Sequence, residues 1–151
     1  MDKTDDISDN RSNLSNLAVD GLIYGLVSGV AMYLSLAAFA LLSGESPVAV
    51  ASHFSTGELT SPWLGLFGHL AVSAIYGALF GALIWPVLRR ASDRKIASWL
   101  GGLAFAAILL LLAQFAILPN TNSPLDILPY WHWVIAHGVY GLVLGGLFSR
   151  L

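Results

Sequence analysis

Cysteine is absent from this chain of 151 residues, which removes disulfides, thiolate metal sites, iron–sulfur clusters and covalently attached c-type haem. Charge is nearly as scarce. Lys, Arg, Asp and Glu make up 11% of the residues, against roughly 25% in soluble domains, while hydrophobic residues reach 56%. Lys and Arg are missing altogether from Ser12 to Leu88 and again from Ile96 to Ser149. A basic surface for nucleic acid is therefore lacking. No Asp, Glu, Lys or Arg falls deep in an apolar run, which argues against an ion pump, a voltage sensor or a proton-coupled transporter. Nor is there a nucleotide-binding glycine loop, a His-Glu-x-x-His motif or a nucleophile elbow, so the chain reads as non-enzymatic.

The basic residues that do occur are placed informatively. Lys3 and Arg11 lie near the start, Arg89, Arg90, Arg94 and Lys95 fill one short loop, and Arg150 is penultimate. Between these clusters stand two pairs of long apolar runs, each pair split by a polar, proline-containing segment. That is the charge pattern of a four-span membrane protein with both termini and the middle loop cytoplasmic. The spans are expected at about 17–42, 63–88, 96–118 and 130–148, giving one domain over 17–151. The polar, acidic segment 1–16 (Asp2, Asp5, Asp6, Asp9) is unlike a cleavable signal and is expected to be a disordered cytosolic tail. The fold class is all-α: an up-down-up-down, polytopic four-helix bundle.

Local signals mark the ends of these spans. Ser46-Pro47 can open a short helix in the first external loop, and Ser61-Pro62-Trp63 can open the second span. Ser92-Asp93 can cap the third span, which Pro119-Asn120 is expected to stop. Tyr130-Trp131-His132-Trp133 opens the fourth as an interfacial aromatic belt.

Two matches suggest duplicated hairpins related by an axis along the membrane normal. Residues 36–42 (LAAFALL) echo 112–118 (LAQFAIL), and 75–81 (IYGALFG) echo 139–145 (VYGLVLG). Tyr-Gly-x-x-x-Gly occurs at Tyr24–Gly29, Tyr76–Gly81 and Tyr140–Gly145. The glycine sets Gly21/Gly25/Gly29, Gly77/Gly81 and Gly141/Gly145 each fall on one helix face and let backbones approach closely. The tyrosine before each motif can cover the gap and send its hydroxyl to a neighbouring helix. Packing is the plain reading; admission of a flat cofactor or a lipid tail is the sharper one.

His69 and His137 are the candidate binding residues. Each lies about 9 Å along its helix from an interfacial tryptophan, Trp63 or Trp131, at a rise of roughly 1.5 Å per residue. An imidazole in a span should face the bundle interior and find a partner. Three readings follow: structural hydrogen bonding with no cofactor; axial ligation of haem b by one histidine from each helix; or a proton, quinone or metal site that also draws on His53, His132, Glu45, Glu58 and Asp126. Against haem, His69 aligns with Trp133 rather than His137 in the repeat, so the pair is not symmetric.

The segment 136–145 (AHGVYGLVLG), with Gly68-His69 and Tyr76-Gly77, resembles a group of small uncharacterised prokaryotic four-span membrane proteins with an H-x-x-Y-G-x-x-x-G close in the last span. The resemblance covers about Gly21 to Gly145 and implies the fold and matching places for His69 and His137, without an activity or a cofactor. The function these features favour is that of an interaction, assembly or accessory subunit of a larger membrane complex. Its partners would be the bilayer and other membrane subunits or further copies of itself. A haem redox carrier and a small-solute or lipid conduit are the alternatives.

Overall fold

A computed structural model describes residues 3–55, 61–121 and 129–151, with side chains from Leu14 onward, that of Thr121 excepted. Glu58 and Asp126, two residues of the outer-loop reading, lie outside the described residues. The described chain is helical and contains no strand. Its helices are α1 (Lys3–Leu42), the short α2 (Pro47–His53), α3 (Pro62–Leu88), α4 (Arg94–Asn120) and α5 (Tyr130–Phe148). Four segments are long and apolar enough to cross a membrane: Leu14–Leu42, Pro62–Leu88, Arg94–Asn120 and Tyr130–Phe148. They form a helical bundle.

The ends follow local chemistry. Ser46 caps α2 with its Oγ accepting the Ala49 N–H at 3.1 Å, and Pro47 takes the first helical position. Asp93 rather than Ser92 caps α4, accepting the Ile96 N–H at 3.0 Å. The first helix reaches back to Lys3, across the segment expected to be disordered. No Gly or Pro precedes Gly21, and a helix already nucleated by the span adds one bond per further residue.

Pro119 does not stop α4, against expectation, whereas α3 runs through Pro86 to Leu88 as expected of the second span. In both helices the backbone widens into a π turn, Phe80–Ile84 and Ala113–Ile117, ending two residues before the proline. Proline has no N–H for the carbonyl four residues back and its ring crowds that carbonyl, so local widening lets the helix continue.

Close backbone approaches at glycine organise the bundle. A Cβ on Gly77 would overlap the Gly21 carbonyl, one on Gly21 would overlap the Gly77 carbonyl, and one on Gly25 would stand 2.7 Å from Gly77 Cα. Gly81 meets the Leu17 carbonyl and Gly29 meets Ser73, so α1 and α3 run in opposite directions. The same relation joins α4 to α5. Gly102 and Gly141 oppose each other's carbonyls, and Gly145 meets Ser98. Gly21 thus stands to Gly77 as Gly102 stands to Gly141, whereas the match of 36–42 with 112–118 would pair Gly21 with Ala97.

At the end carrying the 89–93 loop, Phe148 ties all four long helices together. Its ring is fully buried and lies 5.1 Å from Tyr24 of α1, 5.1 Å from Phe80 and 5.4 Å from Trp85 of α3, while Phe80 reaches Phe105 of α4 at 5.4 Å. At the opposite end, Phe39 of α1 stacks on His132 of α5 at 4.8 Å and meets Trp131 edge-on at 5.0 Å. The main contacts are α1 with α3, α4 with α5, and α1 with α5; α3 and α4 meet chiefly near the loop that joins them. Away from that loop the two outer helices leave a cleft.

Candidate functional site

The cleft is a cavity of about 290 Å³. Its floor comes from Met32 of α1 with Trp133, His137 and Tyr140 of α5, and its walls from His69, Ser73 and Tyr76 of α3 and Leu109, Ala113 and Leu118 of α4. Phe54, just past α2, closes it at one end, and its ring lies 4.5 Å from that of His69. The mouth is bordered by Gly68, Val72 (47% exposed) and Ile117 (40% exposed). Gly68 is exposed, and a Cβ added there would meet nothing within 4 Å. The lining is almost wholly apolar, and the volume lies at the lower bound of ligand pockets, roughly 300–1,000 Å³.

Three polar side chains of the lining are held by backbone carbonyls. His69 donates from Nε2 to the Gly29 carbonyl of α1 at 3.0 Å. Gly29 has no side chain to block that approach; a Cβ there would stand 2.6 Å from Ser73 Oγ. His137 donates from Nδ1 to the Trp133 carbonyl one turn earlier on its own helix, also at 3.0 Å. Tyr140 donates its hydroxyl to the Ser73 carbonyl of α3 at 2.9 Å. The first and third bonds cross between helices, so His69 clamps α3 to α1 and Tyr140 clamps α5 to α3.

The bonds also assign the ring nitrogens. A carbonyl only accepts, so His69 Nε2 and His137 Nδ1 carry protons. In the neutral ring, the remaining nitrogens, His69 Nδ1 and His137 Nε2, are acceptors. Axial ligation by His69 would use Nδ1 or break the bond to Gly29. His137 has the arrangement that suits a ligand, with Nδ1 anchored and Nε2 directed away from its own helix.

The other candidates lie elsewhere. His53 pairs with Glu45 at 3.4 Å beside α2, and His132 is stacked on Phe39. Neither lines the cavity. Among the described residues no group of three or more His, Cys, Asp or Glu is placed to hold a metal ion. Of the tyrosines preceding the glycine motifs, Tyr140 sends its hydroxyl to a neighbouring helix, Tyr76 lines the cavity and Tyr24 packs on Phe148.

Gly102 and Ser98, which form the α4 side of the α4–α5 approach, escape a search for Tyr-Gly-x-x-x-Gly because no tyrosine precedes them; the pair Gly101-Gly102 was the available signal. The α4 wall of the cavity has no sequence signal at all. Comparison with protein-family models, with curated proteins and with solved structures finds no match.

Proposed function

We propose that this chain is a non-enzymatic, multi-pass protein of a prokaryotic inner membrane that serves as an accessory or assembly subunit of a larger membrane complex. In this reading it threads up-down-up-down with both termini cytoplasmic, as two duplicated hairpins, and belongs with the small four-span proteins its last span resembles. The observation that carries the non-enzymatic part is how the polar groups of the spans are used. His69, His137 and Tyr140 each bind a backbone carbonyl, two of them across helices, which is scaffold work. The glycine faces of α1, α3, α4 and α5 turn inward against one another, so a partner would meet large side chains instead. α1 offers one such face, with Leu22, Ile23, Leu26 and Val30 all more than one-third exposed, suited to lipid or to an apolar helix of another subunit.

Purification in mild detergent tests this reading. A stoichiometric membrane partner is expected, and a clean monomer with an activity of its own would refute it. A homodimer would leave only self-association.

Haem b remains the competing reading because both histidines line one cavity. Its cost is the His69 bond to Gly29, which occupies the nitrogen that usually binds iron. A colourless, iron-free preparation from haem-replete cells would end it. For a conduit, the Phe148 cluster stands in the way at the end opposite the cavity.

A further inference from the structure

We propose that the cleft between α3 and α4 binds a lipid-phase hydroxyl compound, an apolar chain headed by an O–H group that donates to His137 Nε2. This goes beyond the accessory-subunit reading and does not depend on it.

The chemistry of the headgroup follows from the tautomers. His137 is 7% exposed, and its one hydrogen bond is made by Nδ1. In the neutral ring Nε2 is then an acceptor and nothing else. No hydrogen bond to it is made among the described residues. An unpaired acceptor on the wall of a largely apolar cavity favours a donor, so an alcohol or phenol suits it, whereas an ether or an ester oxygen brings only another acceptor. Tyr76 and Ser73 belong to the same lining.

The character of the tail follows from the lining and the mouth. Met32, Val72, Leu109, Ile117 and Leu118 present hydrocarbon to whatever enters. The mouth lies between two helices long and apolar enough to span a membrane, and Gly68 leaves it unobstructed. A ligand would therefore enter sideways from the acyl-chain region, with its chain along the α3–α4 groove. The π turn at Ala113–Ile117 contributes to that groove directly, through Ala113 and Ile117. Its widened backbone carries α4 past Pro119 while both side chains stay in the wall.

Photolabelling of the full-length protein in nanodiscs tests this. The probe is a long-chain primary alcohol with a mid-chain diazirine, and the competitors are dodecanol and dodecyl methyl ether. We expect labels on the cleft residues Val72, Leu109 and Ala113, displaced by dodecanol roughly three- to twentyfold more effectively than by the ether, the range set by one intramembrane hydrogen bond. In His137→Phe the two competitors should become equivalent. Gly68→Leu, which adds bulk where there is open space, should reduce cleft labelling even if the His137 variant fails to fold. Equal competition in the wild type, a preference that persists in His137→Phe, labels confined to the exposed faces, or unchanged cleft labelling in Gly68→Leu would each overturn the proposal.

Discussion

Two glycines on the same helix should respond in opposite ways to the same substitution. At Gly77 a new methyl group would overlap the Gly21 carbonyl and Gly25 Cα and stand 2.7 Å from Gly25 N, all of them backbone atoms that cannot swing aside. Carbon atoms pack best at roughly 3.5–4.0 Å, so α1 and α3 would have to separate by about 1 Å. Overpacking of this kind costs about 1–3 kcal/mol. At Gly68 the same methyl group meets nothing within 4 Å, so that variant keeps only the helix-propensity gain of about 1 kcal/mol. Gly68→Ala therefore controls for propensity, and its difference from Gly77→Ala isolates the helix approach. Thermal unfolding in detergent, followed by circular dichroism, should place Gly77→Ala below wild type or level with it and Gly68→Ala at or above it. The two variants should differ by more than 1 kcal/mol. Indistinguishable midpoints would refute the claim that a backbone-to-backbone approach joins α1 to α3.

Other substitutions probe the remaining links. Tyr140→Phe removes the bond to the Ser73 carbonyl and should lower stability by about 0.6–1.7 kcal/mol in the same assay. His69→Ala should cost more than His137→Ala, because the His69 bond crosses from α3 to α1 while the His137 bond stays within one turn of α5. If instead the two variants remove a visible absorption band together, the histidines hold haem. Phe148→Ala opens the one ring cluster that joins all four long helices, and should fall at the lower end of about 3–5 kcal/mol because detergent also solvates the released rings.

Much of the helical layout was legible from charge and hydropathy. Apolar runs bounded by Arg89–Lys95, Pro62 and Tyr130 predict helix positions within a few residues of those observed, since a backbone buried in lipid has few alternatives to the helix. Ser46-Pro47 likewise announced α2. Pro119 misled, because a proline read alone signals a stop, and the π turn that accommodates it depends on packing along the rest of α4. His69 and His137 stood out as interior histidines, and both line one cavity. The cavity itself was not legible. It exists because α3 and α4 pack on different neighbours and diverge, and nothing in the spacing of Leu109, Ala113 or Leu118 separates a cavity wall from an ordinary lipid-facing or core position.

The threading of the chain through a bilayer is the claim on which the rest stands, and the absence of native cysteine makes it directly measurable. Single cysteines at Thr56 and Ser92, treated with a membrane-impermeant thiol reagent in intact cells, should divide cleanly. The Thr56 site should react at once, and the Ser92 site, beside the Arg89–Lys95 cluster, should react only after the cells are permeabilised. Labelling at Ser92 in intact cells would contradict the orientation, and equal labelling of both sites would contradict the crossing of α3 between them.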